Sequence, residues 1–377
     1  MRRILLSFSA VNEEIRYAWE HAEWPRFRWA EGRLLEPLAS TRLKQGRLLG
    51  TMSRLGFDLK LEAQLEALTE NVLKSSEIEG DILDPKGVRS SVARHLGMRE
   101  AGLGRTDRRT EGVVAMMVDA TASYDAPMTR DRLLGWQAAL FPGGFADLRR
   151  VKTGAWRDDA DGPMQVVSGR EGKWRVHFEA PPAERVAAEM DRFIAWFNRV
   201  ETEGLLRAGL AHLWFETIHP FEDGNGRVGR AIADQALAQS EGSAQRFYSL
   251  SSQLQKEKSE YYDMLERSQK SLDVTDWLVW FLACFSRAIE GAEAVTSRVL
   301  KKADFWQTQT PDPFSERQRK VLNRLFDGLE GKLTAKKWAA LAKCSVPTAQ
   351  RDINELLERG VLRRNPGAGK NTSYELA

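Results

Sequence analysis

Apolar residues recur along most of this chain at the three-to-four spacing of an amphipathic helix. Leu61, Leu65, Leu68 and Val72 line one helical face, and Gly80 is the residue type suited to close that helix in a left-handed turn. The same rhythm predicts helices over about Thr106 to Tyr124, after Thr129 as a cap, through Ala187, Met190, Ile194 and Phe197, and from Gln253 to Ser268 and Thr275 to Ala292. Leu205 to Ile218 is apolar nearly all round, and a further helix follows from about Arg227 to Gln239. The period changes between Gly154 and Phe178. There Trp174, Val176 and Phe178 alternate with Arg175 and His177, and the runs Met164 to Val167 and Lys173 to Phe178 flank Ser168 to Gly172 as a β-hairpin ended by Pro181-Pro182.

The expected fold is therefore mainly α. Residues 1–99 form an N-terminal helical region whose aromatic cluster, Trp19, Trp24, Phe27 and Trp29, reads as a segment docked on the domain behind it. Residues 100–290 form a helical domain with the hairpin, and 291–313 a linker helix and loop. In 314–377, helical patterns at Arg317 to Phe326, Ala335 to Ala342 and Pro347 to Glu358 precede a hairpin from Val361 to Leu376, the order of a winged helix-turn-helix.

At 377 residues, with 42% hydrophobic and 29% charged residues, the chain can fill two or three packed cores and is not of disordered composition. No run is apolar enough to span a bilayer and the opening residues are too short for a signal-peptide core, so the expected location is cytoplasmic. Cys284 and Cys344 lie outside any disulfide or zinc spacing and are expected to be ordinary buried thiols. The net charge of +3 is uneven: from Ser315 onward there are 13 Lys+Arg against 7 Asp+Glu, a balance of +6 that leaves −3 for the rest. Any nucleic-acid contact belongs to that tail.

The chemistry is concentrated in His219-Pro220-Phe221-Glu222-Asp223-Gly224-Asn225-Gly226-Arg227-Val228-Gly229-Arg230. Glycines opening a helix expose backbone N–H groups at the positive end of its dipole, a ready phosphate site. Arg227 and Arg230 share the first turn and can face one anion. Asp223 is a hard oxygen ligand beside that cradle, as Mg²⁺ requires, and His219 can take a proton from a hydroxyl. Gly224, Gly226 and Gly229 also satisfy the dinucleotide fingerprint, but a helix rather than a strand precedes them. A calcium loop would need more oxygen ligands and a closing Glu; a merely capped turn with solvated arginines is the bland alternative.

The segment resembles the Fic family signature, His-Pro-Phe-x-(Asp/Glu)-Gly-Asn-Gly-Arg-x-x-Arg, at every defined position. The resemblance implies a Fic helical bundle over about residues 100–290, His219 as base, Phe221 as buried anchor and Asp223 as Mg²⁺ ligand. It also implies Gly224, Asn225 and Gly226 on the α- and β-phosphates of ATP, Arg227 on the β-phosphate and Arg230 on the γ-phosphate. Upstream, Ser75-Ser76-Glu77-Ile78-Glu79-Gly80 resembles the family's inhibitory motif (Ser/Thr)-x-x-x-Glu-(Gly/Asn), so Ser75 and Glu79 are expected to block the γ-phosphate position through Arg230. A solvated glutamate beside a capping glycine is the alternative.

The hairpin of residues 163–178 is placed like the family's flap, which pairs with an extended target segment; a purely structural hairpin is the other reading. His177 reads as structural rather than as a second base. Tyr261 and Tyr262 resemble the tyrosines bordering the nucleobase, with core packing as the alternative. In the tail, Gln350, Arg351 and Asn354 lie on the face that would enter a major groove, with Arg363, Arg364 and Lys370 on the wing, while Asp352, Glu355 and Glu358 give the helix an acidic side. Taken together these expectations describe a Mg²⁺- and ATP-dependent protein adenylyltransferase, with self-modification and a homodimer as further possibilities. The alternatives are a regulator acting through DNA or protein contacts of the tail, a Fic enzyme with another donor, and one that removes AMP.

Overall fold

The computed structural model describes residues 15–98, 106–146, 148–160, 162–170, 173–308, 314–326, 329, 331–366 and 372–377. The chain divides into two units, residues 1–292 and 293–377, each with its own core.

In the first unit a 3₁₀ turn at Ala18–Glu20 precedes helices α1 (Glu31–Ser53), α2 (Phe57–Ile78), α3 (Pro85–His95), α4 (Arg108–Ala122) and α5 (Arg130–Leu140). Short strands β1 (Phe145–Ala146) and β2 (Arg149–Arg150) pair antiparallel, as do β3 (Gln165–Arg170) and β4 (Lys173–Glu179). Then come α6 (Ala183–Arg199), α7 (Gly204–Ile218), α8 (Asn225–Glu241), α9 (Leu250–Lys256), α10 (Lys258–Ser268) and α11 (Thr275–Thr308), whose residues from 293 on belong to the second unit. Thr129 caps α5 as its sequence position predicts, accepting from the Arg132 N–H at 3.1 Å.

Helix α7 is the axle of this unit. From Leu205 to Ile218 every residue is buried, as its all-round apolar pattern requires. Two of its polar side chains are tied internally: Arg207 donates to Gln239 Oε1 at 2.6 Å, and His212 Nε2 meets the Tyr261 hydroxyl at 2.7 Å. Gly209 lets α11 approach closely, since a Cβ there would lie 2.9 Å from the Phe281 ring. Helix α2 joins the same core through Leu65, Leu68 and Val72. Asn71 fixes its rotation, donating to Asp234 Oδ2 of α8 at 2.7 Å and accepting from Ser249 Oγ at 3.0 Å.

The aromatic segment packs against the helices that follow it. Trp24 is buried against Trp214, and its Nε1–H donates to Glu189 at 2.9 Å; Trp19 Nε1–H donates to the Glu179 carbonyl at 2.8 Å.

The hairpin corrects the sequence reading twice. Its strands continue through Ser168, Gly169 and Arg170, which the sequence suggested were loop. Val166 pairs with Phe178 but Val167 with Val176, so His177 has no partner across the ladder. This bulge breaks the alternation expected of β4: Val176 is exposed while Phe178 is buried.

The second unit contains α12 (Glu316–Phe326), α13 (Ala335–Ala342), α14 (Val346–Glu358) and the antiparallel pair β5 (Leu362–Arg364) and β6 (Tyr374–Leu376), in the expected order. Asp352 does not belong to an acidic outer side: it is buried, 3.3 Å from both Trp338 Nε1 and Arg317 Nη2. Cys284 is buried, its thiol pKa pushed up chiefly by that burial, whereas Cys344 is only half-buried. Lys370 falls outside the described residues. Among the described residues no helix is long and apolar enough to cross a membrane.

Candidate active site

A cavity of about 750 Å³ opens beside the loop between α7 and α8, within the range of ligand pockets. Its wall includes His219, Asp223, Gly224, Gly226, Glu79 and Tyr262.

The loop begins where α7 ends. His219 closes that helix in a left-handed conformation, φ 49°, which turns the chain into Pro220 and the cavity. Its Nδ1 lies 3.3 Å from the Glu216 carbonyl, which fixes the proton on Nδ1 and leaves Nε2 free. Burial, reinforced by Arg157, lowers the imidazole pKa to about 4, so the ring is neutral at pH 7. Phe221 is fully buried against Trp156, with ring centroids 5.1 Å apart. The Asn225 amide closes the turn on it, accepting from the Phe221 N–H at 2.9 Å and donating to the Phe221 carbonyl at 2.7 Å. That side chain is thus a staple, and only its backbone remains for an anion. Gly224 must be glycine: its φ is 90°, and a Cβ would press on Leu140 and Phe141 at 2.9 and 3.1 Å.

The two arginines diverge. Arg230, 1% exposed, donates from Nε to Ser75 Oγ at 2.9 Å and from Nη2 to the Ser75 carbonyl at 2.7 Å, while Nη2 also lies 2.8 Å from Glu79 Oε1. Its Nη1 is buried without a partner. Glu79 rests against Gly226, where an added Cβ would come within 2.1 Å of its Oε1, so glycine here admits an anion to the start of α8. Burial alone would raise the Glu79 pKa, but Arg230 and then Arg227 outweigh it and the carboxylate is held below its ordinary range. Arg227 turns to Asp81 Oδ2 at 3.4 Å and Asp223 Oδ1 at 3.6 Å, its guanidinium over the Phe141 ring. The Asp223 carboxylate is also paired with Arg149 Nη2 at 2.6 Å.

The two tyrosines separate. Tyr261 is buried on His212, whereas Tyr262 is partly exposed, its hydroxyl 3.5 Å from the Ile78 carbonyl and its pKa raised by burial and then Glu79.

Several site residues carry no local signal in the sequence. Asp81, half-buried one residue beyond Gly80, also pairs with Arg109 Nη2 at 2.8 Å. Buried Arg157 holds the loop backbone, donating from Nε to the His219 carbonyl at 2.8 Å. Glu216 is buried with its Oε2 3.7 Å from His219 Nδ1, and its carboxyl pKa is raised to about 8, first by burial and then by Glu79. Its i, i+3 spacing from His219 on α7 was the available clue; the others come from distant segments.

Two stretches match known families: residues 17–98 match a domain of unknown function, DUF4172, and residues 127–237 match the Fic/DOC family. Over 130 residues the chain is 29% identical to a uridine 5'-monophosphate transferase from Xanthomonas campestris pv. campestris (strain 8004), a match covering 32% of this chain and 23% of that protein. A Fic family protein from Desulfovibrio desulfuricans G20 shares the fold with a TM-score of 0.52 at 20% identity, covering 92% of this chain and 96% of the other. A Fic domain containing signaling protein from Bacteroides thetaiotaomicron VPI-5482 does so with a TM-score of 0.50 at 16% identity, covering 72% and 97%. The loop, the helices that hold it and these matches agree: the chain carries a Fic/DOC family domain over residues 127–237.

Proposed function

We propose that this chain is a nucleotidyl transferase that moves AMP from ATP to a Ser, Thr or Tyr hydroxyl of a protein, with Glu79 as its brake. The observation that carries the reading is the Glu79 carboxylate seated on Arg230 and against Gly226: the mouth of α8 is shaped and charged for an anion. A triphosphate would take that place, its terminal phosphate on Arg230 and the next on Arg227, with Tyr262 beside the base.

The target hydroxyl attacks the α-phosphorus in line with departing pyrophosphate. His219 Nε2 takes the hydroxyl proton. Its neutrality at pH 7 supports that role, and the Nδ1 contact to the Glu216 carbonyl aims it. Backbone N–H groups at Gly224 to Gly226 stabilise charge on the phosphoryl oxygens. Asp223 suits Mg²⁺: among the described residues no three His, Cys, Asp or Glu form a metal site alone, and one carboxylate beside a phosphate cradle is what a cation arriving with nucleotide needs. When bound, Mg²⁺ supplies further neutralisation of the phosphates. The edge of the β3–β4 hairpin would pair with the target segment.

Incubation with each α-³²P-labelled nucleoside triphosphate, Mg²⁺ and cell lysate tests the reading. Protein labelling from ATP that disappears in His219→Ala supports it; no labelling from any nucleotide by either the intact chain or Glu79→Gly would sink it. Labelling from UTP instead would follow the named activity of the Xanthomonas relative. Release of AMP from a modified target would assign Glu79 to the reverse reaction.

A second reading concerns residues 293–377 alone. Asp352 turned inward leaves exposed Arg351 and Asn354 on the outer side of α14, with Arg364 exposed on β5. We propose a winged helix that meets a nucleic-acid duplex, tested by salt-dependent duplex binding that Arg351→Glu reduces.

A further inference from the structure

One cluster in the cavity wall is unused by this mechanism. Ser168 of β3, His177 of β4 and Glu266 of α10 all line the same cavity as His219. Ser168 Oγ lies 2.6 Å from His177 Nε2, and His177 Nδ1 lies 2.6 Å from Glu266 Oε2. The order hydroxyl, imidazole, carboxylate is that of an activated nucleophile.

The hairpin is bent to make it. In a regular ladder His177 would have a partner on β3; the bulge leaves it unpaired and frees its ring to bridge two elements. Glu266 is secured as an anion, its pKa lowered to about 2, first by the His177 hydrogen bond and then by Lys270, whose Nζ is 3.0 Å away. An ionised Glu266 accepts from Nδ1–H, which leaves Nε2 to accept from the Ser168 hydroxyl. A hairpin stapled to α10 for stability alone would need the contact from His177 to Glu266, but not a serine on the far nitrogen.

We propose that Ser168 is the site at which the enzyme modifies itself, with His177 as the base for that hydroxyl and Glu266 as the positioning residue. The proposal rests on the transferase reading and names an acceptor for it. Ser168 Oγ bonds to the α-phosphorus of ATP, the bond to the β-phosphate's bridging oxygen breaks, and pyrophosphate leaves with that electron pair. The hydroxyl proton passes to His177 Nε2, and the product is a Ser168–AMP phosphodiester on the hairpin edge, where it would obstruct target pairing.

The test uses the full chain carrying Glu79→Gly, incubated with ATP and Mg²⁺ in the presence of lysate and read by peptide mass spectrometry. One AMP on Ser168 is expected. Ser168→Ala should remove it, Ser168→Thr should retain it at the same position, and His177→Gln should slow it by about 100-fold while nucleotide binding is unchanged. Glu266→Gln should slow it less. Modification of lysate proteins with none on this chain, or AMP on this chain at another residue, would overturn the proposal and leave the transferase reading intact. Absence of AMP from every protein would remove both. Undiminished Ser168 modification in His177→Gln would overturn the role of the base.

Discussion

The loop between α7 and α8 and the β3–β4 hairpin line one cavity, but they are held by different means. In the loop Phe221 is buried, Asn225 bonds both ways to its backbone, Gly224 leaves no room for a side chain and Arg157 grips the His219 carbonyl. The hairpin leaves the cross-strand pair Val167 and Val176 exposed and is tied to α10 mainly through Glu266. A transfer site needs both: a wall that fixes the donor to a fraction of an ångström and a wall that accepts varied acceptors. The sharpest way to break the comparison is on the rigid side. His219→Ala should lower transfer by about 10³-fold while nucleotide affinity, measured by titration calorimetry, stays within a few-fold. A loss of similar size from Val167→Ala would show that the hairpin is equally exacting.

Next in size is the proposed brake. Removing a charge-assisted contact of roughly 1.5–3 kcal/mol corresponds to about 10- to 150-fold, so Glu79→Gly should raise the initial rate of AMP incorporation by that order. An unchanged rate would mean that the carboxylate on Arg230 does not compete with substrate. Asp81 sharpens the same point. It holds Arg227 from just beyond Gly80, so Asp81→Ala in the Glu79→Gly background should tighten ATP binding a further several-fold. Weaker binding would instead show that Asp81 positions Arg227 for the phosphate.

The contrast also explains what the sequence discloses. The loop is contiguous, so its glycines, arginines, aspartate and histidine are legible as one unit, and the face of α2 is legible from its spacing through Leu65, Leu68 and Val72. Asp81, Arg149 and Arg157 reach the site from separate segments, and nothing in their local pattern marks them. The bulge at His177 was hidden because alternation of apolar residues assumes an unbroken ladder, and Asp352 read as solvent-facing because its partners Trp338 and Arg317 lie on other helices. The helix spans named from the sequence hold to within a few residues, but the pattern announced no helix at Pro85–His95, Gln253 to Ser268 is two helices and α11 runs on to Thr308.

The smallest effect tests how tightly the rigid wall is buried. Glu216 has its carboxyl pKa raised to about 8, first by burial, whereas burial lowers the His212 and His219 pKa values to about 4. Between about pH 4.5 and 8 the folded chain keeps the Glu216 proton that the unfolded chain releases, so this group's contribution to stability falls as pH rises. The two histidines act oppositely: below about pH 6.5 the unfolded chain binds protons that the folded chain refuses, so their contribution rises with pH from about 4 to 6.5. These opposed slopes overlap up to about pH 6.5, and above it only Glu216 among the three still titrates between the two states. Thermal melts from pH 6.5 to 8 should therefore show a Tm falling by about 1–3 °C per pH unit, and Glu216→Gln, which has no proton to lose, should flatten that slope. A slope unaltered by the substitution would place the Glu216 carboxyl in contact with water, and the loop's claim to be the rigid wall would weaken with it.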